Sequence, residues 1–320
     1  MNQGDIHLMV VPGQNGLGGG NIDTVIPHFA DKPGLKHNIQ TPRIRDGIDF
    51  GQTRCQSYLH KKMSSLKNND KAIIHGSSQG TATTGIYTAK HPEKVGAIIL
   101  EAVMLSGNSA IFHAISNRYP KQCITSLPGS YYWLPYLAKF VYPFYSPAGE
   151  QLVVTAHKLP KDLPIIILHH AKDPQLSHEG AQALYAFLKH VQGNENVYLM
   201  SKDSYYGEHV ELLDNISCET NIQKINAINK ILHQHTLLPE YKDSPFVKSQ
   251  FMKFTRTELQ DYQPKPKQKW LDHFNDILTK ENRIWYIDWG VKTAFYSLIA
   301  YIIYRTGLAE KCINRIQSTQ

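Results

Sequence analysis

Four cysteines in 320 residues, Cys55, Cys123, Cys218 and Cys312, are too few and too scattered for a disulfide framework, and no C-x-x-C or comparable spacing marks a zinc site. A reducing compartment fits this usage. No basic flank, long apolar core and small-residue cleavage site precede the first apolar run, so the expectation is an intracellular, cytoplasmic protein, with membrane association left open. Long hydrophobic runs are also scarce. The longest relevant uncharged stretch, 293–304, falls short of the roughly 20 residues that a spanning helix needs. Charge of one sign is not concentrated either. The formal net charge is +7, but the cations are dispersed, no nucleic-acid module appears, and Lys265-Pro-Lys-Gln-Lys269 reads as a solvated linker. A nucleic-acid partner is therefore not expected, whereas an anionic surface or substrate remains open.

With 42% apolar residues and ordinary glycine and proline usage, the chain can bury a large core. Apolar runs near 6–11, 36–40, 71–75, 95–100, 164–169 and 196–200 read as strands, and helical periodicity marks 50–66, 79–91, 177–191 and 220–234. Such alternation predicts a parallel sheet of about six strands with helices on both faces and functional loops at the strands' carboxyl ends.

One junction carries chemistry. Lys71-Ala-Ile-Ile-His-Gly-Ser-Ser-Gln-Gly80 is an apolar strand entering G-x-S-x-G with Ser78 at its centre. Gly76 and Gly80 let the strand turn sharply into a helix while Ser78 holds a strained conformation with its hydroxyl exposed. The amide of Gln79 then opens a helix, where it faces a developing oxyanion. A serine needs a base and a carboxylate to orient that base. Asp173 follows the apolar run 164–168, and His209 follows the run 196–200, so both belong at the same sheet edge. Each has an ordinary alternative: Asp173 as a helix cap or Asx turn ahead of Pro174, His209 as a solvated loop residue. Glu101, Asp203 and His178 are rivals near that edge, and Ser77 is a rival nucleophile in the wrong slot of the turn.

The order Ser78, Asp173, His209, each after a strand, resembles the α/β-hydrolase superfamily of serine esterases and lipases, over roughly residues 5–235. The resemblance extends to Asp173-Pro-Gln-Leu-Ser-His-Glu-Gly-Ala, where the acid leads into a helix, and to the histidine loop Gly207-Glu-His209. Pro12-Gly-Gln-Asn-Gly-Leu-Gly-Gly-Gly20 is similar to the family's oxyanion loop, which implies an amide donor at Gln14 with Asn15 as neighbour. Pro12 departs from the histidine that many members carry there. These glycines also suit a phosphate cradle, but no G-x-x-x-x-G-K-[ST] or dinucleotide fingerprint accompanies them. The first strand begins at residue 6, so a sheet trimmed of amino-terminal strands is expected. The resemblance implies a serine hydrolase cleaving a carboxylic ester through an acyl-enzyme, with catalytic triad Ser78, Asp173 and His209, an oxyanion hole at Gln79 and Gln14, no cofactor and no metal. A small-molecule ester or acyl compound is the implied partner. Thioesterase, amidase or peptidase activity on the same triad, and a non-catalytic hydrolase-fold binding protein, are the alternatives.

Two segments lie outside this outline. Residues 105–160 form a long insertion rich in aromatics, among them Tyr131, Tyr132, Trp133, Tyr136, Phe140 and Tyr142, which suits a lid that either packs on the body or walls an apolar substrate site. Residues 236–320 read as a linker followed by a helical extension. There Ile284, Ile287, Val291, Phe295, Leu298 and Ile302 make one apolar stripe, while aromatics at 285, 286, 289, 296, 301 and 304 suit a headgroup boundary, so 284–304 either packs on the domain or makes a peripheral membrane contact. Asp288 and Lys292, spaced as a helical ion pair, argue against a span.

Overall fold

The computed structural model describes residues 4–13, 35–37, 49–118, 125–201, 209, 219–237 and 259–306. Six strands, β1 (Ile6–Val11), β2 (Leu35–His37), β3 (Lys71–Ser77), β4 (Val95–Glu101), β5 (Ile165–Leu168) and β6 (Val197–Met200), form one parallel sheet in the order β2-β1-β3-β4-β5-β6. The β-branched runs Ile73-Ile74, Ile98-Ile99 and Ile165-Ile166-Ile167 are at most 3% exposed, as strands covered on both faces must be. Alternate side chains feed two cores. Ile74, Ile98, Ile165 and Ile167 face the larger one, while Ile73, Ile99, Ile166 and Leu168 face a smaller one closed by Ala227, Ile228, Ile231 and Leu232.

The chain builds outward from β1 to β2, then crosses to β3 on the other side and continues in sequence. That reversal leaves a crevice at the carboxyl ends of β1 and β3, the place where open α/β sheets hold their ligands. The helices α1 (Thr53–Ser64), α2 (Gln79–Lys90), α3 (Gly107–Arg118), α4 (Ser130–Ala138), α5 (Leu152–Thr155), α6 (His178–Ala186), α7 (Glu219–Gln234) and α8 (Gln268–Thr306) surround the sheet. α2 is buried from Gln79 to Thr88, so it forms part of the core below the crevice. The segment read as one helix over 177–191 is α6 followed by a π-helical turn, Phe187–Val191.

The first half of α8 packs on α6. Trp270, Leu271, Phe274 and Ile277 belong to the larger core, and the rings of Phe187 and Phe274 stack at 4.2 Å. One turn further on, Glu281 is 4% exposed and accepts hydrogen bonds from Ser106 Oγ (2.7 Å), Tyr131 O–H (2.7 Å) and Asn108 Nδ2 (2.5 Å). Burial pushes its carboxyl pKa up, against the pull of those three donors. This carboxylate ties α8 to both α3 and α4. Beyond Ile284 the helix is exposed apart from the half-buried Asp288, so packing of 284–304 onto the domain, one of the two readings of its apolar stripe, is not seen for the stripe residues from Ile287 to Leu298. Among the described residues no helix is long and apolar enough to cross a membrane.

Candidate active site

β3 passes into α2 through a single residue, Ser78, at φ 52° and ψ −118°. A β-substituted residue at positive φ is strained, and the surroundings hold it there. Ser78 N–H donates to Glu101 O on β4 (2.8 Å), while Ser78 O accepts both the amide (2.9 Å) and the hydroxyl (2.6 Å) of Thr81. Thr81 Oγ1 in turn accepts the amide of Met104 (2.9 Å). The flanking glycines are required by close approach: a Cβ at Gly76 would lie 2.5 Å from Gly80 O, and one at Gly80 would lie 2.0 Å from Val11 O. Any side chain there would push β1, β3 and α2 apart.

The structure brings Ser78, Asp173 and His209 together. His209 Nε2 is 2.7 Å from Ser78 Oγ, and His209 Nδ1 is 2.8 Å from Asp173 Oδ2. With Asp173 ionised, Nδ1 carries the imidazole proton and Nε2 is left to accept from the serine hydroxyl. Asp173 is 7% exposed, and its other oxygen, Oδ1, accepts the amides of Gln175 (2.8 Å) and Leu176 (2.9 Å). The Asx-turn and the histidine-pairing readings of this residue therefore hold at once. Burial raises its carboxyl pKa, but the hydrogen bond and charge of His209, helped by His169 and the Leu176 amide, outweigh it and hold the group below the usual carboxylate range.

His169 was not singled out by the sequence, since one histidine after a strand carries no signal of its own. It is fully buried: Nδ1 accepts the Val103 amide (3.0 Å), Nε2–H donates to Leu176 O (3.2 Å), and Nε2 lies 3.7 Å from Asp173 Oδ2. It thus ties the turn that holds Asp173 to the end of β4. Burial lowers its pKa from 6.5 to about 4, the nearby Asp173 charge only partly opposing this. Because the folded value lies below the unfolded one, the stability His169 contributes is full above pH 6.5 and is lost as pH falls towards 4, on the order of 3 kcal/mol in all. Urea denaturation of His169→Gln against wild type is expected to show a deficit at pH 7 that shrinks steadily by pH 4.5. An unchanged deficit would mean that the imidazole titrates normally.

The rivals are engaged elsewhere or not described. Glu101 accepts from Ser77 Oγ (3.2 Å) and pairs with His75 Nε2 (3.0 Å), which occupies both it and Ser77. The His178 ring lies 5.8 Å from that of His169. Asp203, Gln14 and Asn15 fall outside the described residues. Gln79 is 3% exposed at the first position of α2, where backbone N–H groups have no acceptor within the helix. Its side-chain amide donates to Cys55 Sγ (3.3 Å), and Cys55 donates to Asp49 Oδ1 (2.8 Å). Burial, reinforced by the Asp49 charge, pushes the Cys55 thiol up to about 12, so it stays protonated and is no rival nucleophile.

A cavity of about 340 Å³ opens onto Ser78 and Gln79. Its walls are mainly apolar: Met104 just ahead of the insertion, Ala110 and Ile111 from its start, Leu134, Leu137 and Val141 from α4 and beyond, with Phe50 and Tyr142. Phe50 sits at φ 49°, a left-handed conformation that the sequence did not reveal, with its ring against Tyr142 and Tyr145. The aromatic cluster of the insertion divides its work. Tyr131 and Tyr145 are buried anchors, bonded to Glu281 and to Asn108 Oδ1 (2.5 Å), while mainly aliphatic neighbours line the cavity.

Metal-ligand atoms come together among the described residues at Asp5, His7 and Asp70, within 4.8 Å of one another. This group lies at the amino end of β1, opposite the triad, and His7 Nε2 is engaged by Asp70 Oδ2 at 2.8 Å. Its hydrogen bonds account for it as a clasp between β1 and the turn before β3.

Strand order, a strained serine between β3 and α2, and an acid and histidine supplied in that chain order after β5 and β6 define the α/β-hydrolase fold. No protein-family model matches this sequence, and no curated protein matches it. Among solved structures, the chain is similar to a serine hydrolase involved in carbazole degradation (16% identity, TM-score 0.44, covering 73% of this chain and 92% of that one). It is also similar to Est1E from Butyrivibrio proteoclasticus (13%, 0.48, 73% and 90%) and to a carboxyl esterase from Bacillus coagulans (15%, 0.41, 72% and 92%).

Proposed function

We propose that the protein is a serine hydrolase that cleaves a carboxylic ester with an apolar acyl group. The observation that carries the reading is the bridge by His209 between Ser78 Oγ and Asp173 Oδ2, at 2.7 and 2.8 Å. A serine hydroxyl is inert at neutral pH, and that bridge provides the path for its proton.

Ser78 Oγ attacks the ester carbonyl as its proton passes to His209 Nε2, and Asp173 stabilises the imidazolium that results. The amides of Gln79 and Gln14 hold the oxyanion of the tetrahedral intermediate. Its collapse expels the alcohol, protonated by His209, and leaves the acyl group on Ser78. Water, deprotonated by His209, then attacks this ester and returns Ser78 and the carboxylic acid. The strain at Ser78 serves this chemistry by holding Oγ at the cavity mouth in the ground state. The insertion acts as a lid whose aliphatic wall takes the acyl chain and keeps water from the intermediate.

The test is a series of p-nitrophenyl esters of increasing acyl length, with matched thioesters and amides, against fluorophosphonate-sensitive activity. Acyl chains that fill the apolar cavity are expected to raise kcat/KM by about tenfold or more over acetate, roughly what one or two buried methylenes contribute. Thioester turnover above ester turnover would change the leaving group, and no turnover with an unlabelled serine would leave a hydrolase-fold binding protein.

A further inference from the structure

Past Ile284, which is fully buried, the side chains of α8 are exposed from 285 to 301 apart from the half-buried Asp288, over about 25 Å of helix at 1.5 Å per residue. One side is aliphatic and phenyl: Ile287, Val291, Phe295 and Leu298 are 48–65% exposed. The other carries rings with a polar tip: Trp285, Tyr286, Trp289 and Tyr296 are 52–66% exposed. An amphipathic helix that only packs in a protein groove has one apolar side and one charged side. This helix has instead one side suited to acyl chains and one suited to headgroups, because indole N–H and phenol O–H groups seek the polar boundary while their rings stay apolar.

Charge points the same way. Asp288 and Lys292 are the only formal charges between 284 and 304, and they pair with each other one turn apart at 2.5 Å. Before the stretch, Lys280 is paired with Asp276 at 2.6 Å and Arg283 adds a second cation beside the buried Glu281; after it, Arg305, Lys311 and Arg315 outnumber Glu310, on a chain of net charge +7. An aromatic segment of no net charge followed by an excess of cations matches an anionic lipid surface. α4 links this segment to the cavity: Tyr132 O–H is 3.5 Å from Arg283 Nη1, while Leu134 and Ala138 on its other side line the cavity. Beyond α4, Phe140 and Val141 are also exposed, at 87% and 70%.

We propose that residues 285–301 of α8 are an interfacial anchor that docks the protein on anionic phospholipid bilayers with the helix lying in the interface. The assignment does not depend on the hydrolase reading. Full-length protein is expected to float with vesicles of equimolar phosphatidylcholine and phosphatidylglycerol, and more weakly with phosphatidylcholine alone or in high salt. Fluorescence of Trp285 and Trp289 should move to the blue on binding and be quenched by lipids brominated near the headgroup end of the acyl chain. The double variant Trp289→Glu/Phe295→Glu is expected to bind about tenfold or more weakly, the effect of losing two anchoring rings. Both positions are exposed, so its melting temperature and its hydrolysis of a soluble ester should match those of wild type. Failure of wild type to float, or equal flotation of the double variant, would overturn the proposal. So would a lipid-free dimer abolished by the same variant, which would make the segment a contact between copies, or resistance of bound protein to alkaline carbonate, which would make it integral.

Discussion

Ser78→Ala is expected to abolish fluorophosphonate labelling and lower kcat for the preferred ester by on the order of 10⁴–10⁶, with KM little changed. The size follows from what the substitution removes. The fold around residue 78 is held by backbone contacts, Ser78 N–H to Glu101 O and Ser78 O to Thr81, so alanine keeps the elbow and the cavity and loses only the nucleophile. Asp173→Asn should cost nearly as much, about 10⁴ in kcat, for a different reason. Its Oδ1 can still accept the amides of Gln175 and Leu176, but a side-chain N–H₂ then faces His209 Nδ1. The imidazole must turn its lone pair to Nδ1, and Nε2 gains the proton that stops it from accepting the serine's. Retained hydrolysis in Ser78→Ala, by purified protein free of host esterase, would place the nucleophile elsewhere.

The parts of this molecule that were legible in the sequence are those that rest on local chemistry. Ile73-Ile74, Ile98-Ile99 and Ile165-Ile167 announce strands because a β-branched run buried on both faces has few other solutions. Gly76 and Gly80 were readable because the close approach they permit is set within five residues. Asp173 and His209 were placed by a positional rule, that residues following parallel strands gather at one edge, and that edge is where the structure holds them 2.8 Å apart.

What stayed hidden depends on long-range packing. His169 takes its role from Val103 and Leu176, neither of which marks a partner in the sequence. Phe50 offers no hint of φ 49°, since the sequence does not specify the ring contacts that hold it there. The clearest case is the extension. The regular apolar stripe from Ile284 onward suited either packing or membrane contact, yet it is exposed from Ile287 to Leu298, and the packed part is Trp270 to Ile284, where buried residues alternate with Asp272, His273, Asn275 and Asp276. Periodicity reports which side of a helix is apolar but not what covers it.

That contrast yields the second large effect, between two truncations. Removing 268–320 takes away Trp270, Leu271, Phe274, Ile277 and Ile284, all at most 8% exposed and each worth about 2 kcal/mol of burial. It also strips the acceptor from Ser106, Asn108 and Tyr131, and buried donors left without partners cost about 1–3 kcal/mol apiece. Together these losses match the whole of a typical folding free energy of about 5–15 kcal/mol, so the shorter chain is expected to be insoluble or to melt without a cooperative transition. Removing 286–320 keeps every one of those contacts, and the described side chains it discards, 286–301, are exposed apart from the half-buried Asp288. Its thermal unfolding should stay cooperative and close to that of the full chain, and its solubility should rise as exposed aromatics are lost. Calorimetry on both proteins separates the two halves of α8: a cooperative transition for the chain ending at 267 would show that the sheet and its other helices carry the fold without it.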